Sequence, residues 1–315
     1  MKKLLLVIAS LLLVFTLSAC NNDKNDSENL IYVTVYPMQF LVEQIASDTV
    51  EIRRVPGSTV HSESYEWSIK EQISMYDSDL LFYINGGVDN YIPNNTHVFE
   101  DGNVQLIDMS EHITYNNVCY THSHDEEETT EASTETCDDT ALSPDPHFWL
   151  DPVRMLTAAE YVKDKLIATY PENQELYNNN FTQLSALLQQ LNRDFEEMAA
   201  EATKPIITSV MLFSYWTDRY DIEILPVVYD AHSAGTDTGD YIELLSHAAE
   251  DNIKYVLFEK YVNSPSAETV LDSIDDSIKA YLHGLGNITS EEMENGSNYI
   301  TIMYENLEVL DLATK

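Results

Sequence analysis

The chain has 315 residues, 44% of them hydrophobic, and its 16 basic side chains face 54 acidic ones for a formal net charge of −38. A surplus of that size repels nucleic acid and anionic lipid surfaces and draws cations in. The length suits two domains better than one.

Lys2 and Lys3 precede an uncharged apolar run from Leu4 to Leu17 that ends "LSAC" at Cys20. A basic start, a short hydrophobic stretch and a small-residue cleavage site predict a secretory signal over residues 1–19. The run is shorter than the roughly 20 residues of a membrane span. Cys20, directly after "LSA", resembles the lipid-modified cysteine of a bacterial lipobox, and an ordinary signal with a chance cysteine is the alternative. Residues 20–29 then read as a polar tether. No later segment is apolar enough to cross a bilayer. The expected location is the outer face of the cytoplasmic membrane, at the cell surface or in a periplasm, with acyl chains as the anchor.

Residues 30–172 read as an N-terminal lobe. "LIYVTVYP" is a strand leading to Pro37 in the first turn of a helix, "TVEIRRVPG" a second strand and "SDLLFYINGG" a third, with helical segments between them. Strands alternating with helices predict a parallel sheet. Periodicity vanishes over residues 121–140, where eight carboxylates and two histidines leave no aliphatic side chain larger than alanine, so a solvated surface loop is expected. Cys119 and Cys137 flank that loop. A disulfide between them is the first expectation in an external setting and free thiols the second, while a cysteine zinc site lacks its paired close spacing. Order resumes at "DPHFWLDP", residues 145–152, where Asp151 caps and Pro152 begins a helix running to Tyr170.

Over residues 173–202, Tyr177, Phe181, Leu184, Leu188, Leu191, Phe195 and Met198 alternate spacings of four and three. That narrow apolar stripe predicts one helix about 40 Å long, a rigid spine between lobes, with a coiled-coil seam as the alternative. Residues 203–315 form a second lobe: "PIITSV", "IEILPVVY", "IKYVLFEK" and "SIKAYL" are strand candidates, and Thr289 with Glu292 is spaced as the capping box of one closing helix. The predicted fold class is α/β, with two Rossmann-like lobes of parallel sheet joined by one long rigid helix.

Ligands of open parallel sheets bind outside the carboxyl ends of the strands. His61 follows the second strand and His147 precedes the capped helix, while His232, Glu259 and His283 lie at or after strand ends of the second lobe. Imidazoles and a carboxylate from both lobes could therefore converge on one cation, and neutral imidazole with carboxylate or water suits zinc and its borderline neighbours.

"PGSTVH" ending at His61, "NGG" at Asn85 to Gly87, the His-bearing acidic loop, "DPHFWLDP" and the closing "GNITSEEMENGSNYITIMYENLEVL" together resemble the metal-binding lipoproteins of zinc and manganese ABC importers. The resemblance covers nearly all of the chain beyond the signal. It implies a monomer of two lobes joined by one helix, holding a divalent ion between them for delivery to a membrane permease. It makes His61 and His147 metal ligands and His122 and His124, in a loop typical of the zinc members, an accessory collecting site; zinc is the expected ion and manganese the second choice. Two departures stand out. Val210 occupies the place of the histidine in the zinc members' "TSH", and Gly286 stands where some members carry a carboxylate. Glu63 and Ser64 look inserted after His61. His283 is the expected replacement imidazole and His232 its alternative, with water, Glu63 or Glu259 completing the shell.

A zinc hydrolase would need a general base beside an open coordination position, and no "HExxH" occurs. A metal-binding adhesin or metal buffer of the same fold is the non-transport alternative, because contact with a permease leaves no recognisable motif.

Overall fold

A computed structural model describes residues 29–56, 67–119, 142–229 and 238–315. The expected signal, Cys20, His61, Glu63, His122, His124, Cys137 and His232 lie outside those residues, as does the acidic stretch 121–140 expected to be a loop; Cys119 ends a described strand, but its side chain is not described.

The N-terminal lobe is built on four parallel strands, β1 (Leu30–Val33), β2 (Glu51–Arg54), β3 (Leu80–Tyr83) and β4 (Gln105–Asp108), in the spatial order β2-β1-β3-β4. Helix α1 (Tyr36–Ala46) follows β1 with Pro37 in its first turn, where the missing N–H is no loss. Helix α2 (Ile69–Tyr76) precedes β3 and opens on a capping box between Ser68 and Glu71. Beyond β4, β5 (Asn116–Cys119) and β6 (Leu142–Asp145) pair antiparallel, bringing Asn116 opposite Asp145 at the threshold of the "DPHFWLDP" segment.

Helix α3 (Pro152–Thr169) starts as its sequence predicts. The Asp151 carboxylate accepts the Val153 N–H at 2.8 Å, and Pro152 takes the first helical position. Helix α4 (Gln174–Glu201) then runs 28 residues, roughly 40 Å at the α-helical rise. Six of its seven predicted stripe residues are buried. Phe181 is the exception, partly exposed beneath the Lys163 ammonium 4.6 Å from its ring centre. One continuous apolar cluster reaches from Ile31 through the α4 stripe to Ile302, so the two lobes share a core across the helix. Replacing Leu191, fully buried there, by alanine would cost about 2–5 kcal/mol.

The second lobe repeats the topology of the first. Its strands β7 (Ile206–Thr208), β8 (Ile224–Pro226), β9 (Tyr255–Glu259) and β10 (Ile278–Leu282) are parallel in the order β8-β7-β9-β10. Helices α5 (Ser214–Tyr220), α6 (Thr238–Glu250) and α7 (Pro265–Ser273) connect them. The tail departs from the single closing helix expected of it. The capping box at Thr289 and Glu292 forms, but α8 (Ser290–Glu294) lasts barely more than a turn before Gly296 adopts φ +86°. Asn298 then caps a separate helix, α9 (Tyr299–Ala313), by accepting the Ile300 and Thr301 N–H groups.

Polar bonds radiating from residues 145–152 tie the lobes together. The Trp149 indole donates to the Gly284 carbonyl at 2.8 Å, Tyr299 to the Trp149 carbonyl at 2.6 Å and Trp216 to the Leu150 carbonyl at 3.0 Å. Asp151, fully buried, also takes Arg154 from its own helix at 2.6 Å and Arg219 from α5 at 2.9 Å. Buried groups so satisfied hold a unique docking of the two halves, since a broken bond would leave an unpaired polar atom out of water.

Candidate metal centre

His147 follows β6 and opens the short turn Phe148–Leu150, with its carbonyl accepting the Leu150 N–H at 3.1 Å. Its backbone N–H and its ring Nδ1 both address Asp145 Oδ1, at 3.0 and 2.6 Å. A carboxylate oxygen only accepts, so Nδ1 carries the proton and the lone pair of Nε2 is left for a cation. Asp145 is 1% exposed and is itself held from the second lobe, where Ser214 donates to its other oxygen and Tyr215 to its main-chain carbonyl at 2.5 Å. The Trp149 ring stands edge-on to the imidazole at 5.2 Å between centroids and limits its movement.

From the second lobe comes Glu259, at the end of β9, whose N–H donates to Ser209 Oγ at 3.0 Å. Burial pushes its carboxyl up to about 7, with an electrostatic influence from the side of His147 opposing the rise. Gly284 shapes the gap. A Cβ there would come within 2.9 Å of Glu259 Oε1 and 2.6 Å of Leu212, so the carboxylate occupies the space that a side chain at 284 would need.

His283 does not join this pair. Its Nδ1 accepts the Leu285 N–H at 2.9 Å, its Nε2 faces Glu292 Oε1 at 3.4 Å, and its main chain is clamped on both sides by the Asn306 amide. With Nδ1 accepting, the proton sits on Nε2, so neither nitrogen offers a lone pair to a metal. Lys260, 2.7 Å from the same Glu292 oxygen, adds a cation beside it, and burial holds the His283 pKa below the usual imidazole range. The replacement imidazole expected from strand β10 is thus buried, with Nδ1 engaged by Leu285 and Nε2 turned toward Glu292. Among the described residues, no three His, Cys, Asp or Glu side chains come together to hold a metal ion.

Both departures read from the sequence lie beside the site. Val210 follows β7 directly after Ser209, the residue that fixes Glu259, and is buried as an apolar side chain. At Gly286 a Cβ would meet only Trp149, at an ordinary 3.7 Å, so the backbone leaves room for a side chain that this chain lacks. Sequence reasoning missed Asp145 and Ser214 as participants. Asp145 was detectable as a carboxylate two residues before the histidine; Ser214, 69 residues from Asp145, carried no signal.

Two parallel-sheet lobes of like topology joined by one long helix are the architecture of two-lobed solute-binding proteins. Residues 31–313 match the family model described as "Zinc-uptake complex component A periplasmic". The chain belongs to that family, a family of transport components rather than of enzymes, whose place is outside the cytoplasm. It is 27% identical over 316 residues to the zinc-binding lipoprotein AdcA of Streptococcus pneumoniae strain R6, an alignment covering all of this chain and 61% of that protein. The chain therefore spans about three-fifths of the length of that relative. It is 26% identical over 314 residues to the high-affinity zinc uptake system protein ZnuA of Bacillus subtilis, covering 97% of this chain and 95% of that one. Among solved structures it resembles the Zn(II)-bound ZnuA-like domain of S. pneumoniae AdcA, with a TM-score of 0.70 at 23% identity over 91% of this chain and 99% of that domain.

Proposed function

We propose that this chain is an extracytoplasmic solute-binding lipoprotein that captures zinc between its lobes and hands it to the permease of an ABC importer. The ion is held by His147 and His61 from the first lobe and Glu259 from the second, with water completing a tetrahedral shell. His122 and His124 act as an accessory collecting site, Cys20 carries the lipid anchor and the protein works as a monomer. The observation that carries this reading is the hydrogen bond that commits His147 Nδ1 to Asp145 and leaves Nε2 for a cation, together with a buried carboxylate, Glu259, in the opposite lobe. Zinc is favoured over manganese because imidazole is the softer donor and manganese prefers an oxygen-rich shell.

The test is a competitive titration of zinc and manganese into the purified chain, its H147A and E259Q variants, and a form lacking residues 121–139. The expected result is tight zinc binding that both substitutions destroy and the deletion spares. Unchanged zinc affinity in both substituted proteins would end the proposal.

A further inference from the structure

We propose that Ser214 is a positioning residue for the metal ligand His147, acting across the lobe boundary through Asp145. The inference rests on the reading of His147 as a zinc ligand and adds to it the group that sets that ligand's orientation and tautomer.

The geometry is a relay of three side chains. Asp145 Oδ1 accepts both the backbone N–H and the Nδ1–H of His147, and Asp145 Oδ2 accepts the hydroxyl of Ser214, the first residue of α5. A carboxylate bound on only one oxygen can rotate about its Cβ–Cγ bond. Bound on both, it presents Oδ1 to the imidazole in one orientation. Its main chain is fixed as well, because the Tyr215 hydroxyl donates to the Asp145 carbonyl at 2.5 Å while accepting the Asn116 N–H at 3.1 Å. Asp145 is 1% exposed and Ser214 7%, so water cannot replace the hydroxyl at little cost. Carboxylates hydrogen-bonded to the far nitrogen of a ligating histidine fix its tautomer and raise its basicity, and losing such a partner typically costs about 10–100-fold in metal affinity. The serine extends that control to the opposite lobe, on the same seven-residue helix whose Arg219 binds Asp151 at the other end of the "DPHFWLDP" segment. The first lobe's ligand is thus correctly aimed only when the second lobe is docked.

The test uses the full chain as wild type, S214A, S214T, D145N and the S214A/D145N double variant, each checked for folding by circular dichroism. Two quantities are read: zinc affinity by competition with a chromophoric chelator, and the His147 Nδ1–H resonance in metal-free protein labelled with nitrogen-15 histidine. Wild type should show a downfield, slowly exchanging Nδ1–H. In S214A that signal should be lost or move upfield, with zinc binding weaker by about tenfold, the lower end of the range for such partners. S214T, which keeps a hydroxyl, should recover both, and the double variant should bind no more weakly than D145N. A residue that only satisfies a buried carboxylate would lower thermal stability and leave the resonance alone. The proposal is overturned if S214A keeps the resonance and binds within twofold of wild type, or if the losses in S214A and D145N simply multiply in the double variant. Failure of the underlying ligand reading looks different: H147A would then bind zinc like wild type, whatever the resonance does.

Discussion

The two lobes share one strand order, β2-β1-β3-β4 in the first and β8-β7-β9-β10 in the second, yet equip the cleft unequally. The first contributes His147 with a dedicated carboxylate behind it. The second has valine at 210, glycine at 286 and a histidine at 283 turned to other partners, with Glu259 the candidate donor among its described residues. Duplicated architecture thus does not duplicate chemistry, because the sheet fixes only where strand ends fall. Among the described residues of the second lobe, Val210 and His283 serve packing and structure, so the proposed inter-lobe site rests on Glu259 there.

Removing one donor from each lobe breaks the comparison most severely. H147A and E259Q should each weaken zinc binding by more than the roughly 100-fold upper end expected for an outer-shell partner. Calorimetric titration with a competing chelator checks this. If H147A abolishes binding while E259Q leaves it intact, Glu259 is not the second lobe's ligand.

Restoring what the second lobe lacks sharpens the same comparison in the opposite direction. V210H should add an imidazole beside Ser209, and G286E a carboxylate at a position where a Cβ meets only ordinary contact with Trp149. Each should tighten zinc binding by about tenfold, roughly 1.4 kcal/mol, less any loss from disturbing a packed site. Gly284 makes the control. G284A puts a Cβ within 2.9 Å of Glu259 Oε1 and should weaken binding by displacing the carboxylate.

Much of the fold was legible because its elements repeat a strong local pattern. The α4 stripe has helical spacing over seven residues, and the two Asp-Pro pairs punctuate their own segment. Short or weakly patterned pieces escaped: β4 is four residues with only Ile107 buried, α5 is seven residues long, and the β5–β6 hairpin brackets the acidic loop. The tail broke at Gly296 because a positive φ there follows the end of the short helix that the Thr289 and Glu292 capping box opens. At the candidate site, His147 was read from its place before the Asp151-capped helix, while the strand-end rule selected Glu259. The same rule selected His283 and could not see that Asn306 and Leu285, reached only in three dimensions, occupy its backbone and Nδ1.

The smallest predicted effect separates the lobes by acid–base behaviour. Glu259 is raised by burial to about 7, against an ordinary value of 4.5, so the folded metal-free protein holds a proton that the unfolded chain has already released between those limits. Glu259 should therefore make the metal-free protein lose stability as pH rises from about 4.5 to about 7, whereas His283, held by burial below its ordinary 6.5, contributes a slope of the opposite sign in the acid part of that window. Asp89 in the first lobe, raised by burial to about 6, adds a slope of the same sign as Glu259 over a narrower range. Zinc reverses the preference, since the metal requires the ionised carboxylate, and affinity should weaken as pH drops through about 7. Thermal melts from pH 5 to 8, with and without zinc, read both trends. E259Q should remove Glu259's share of the metal-free slope and leave those of Asp89 and His283, whereas D89N should leave Glu259's share in place. An E259Q slope equal to wild type would remove Glu259 from the buried, proton-holding role that makes it the counterpart of His147.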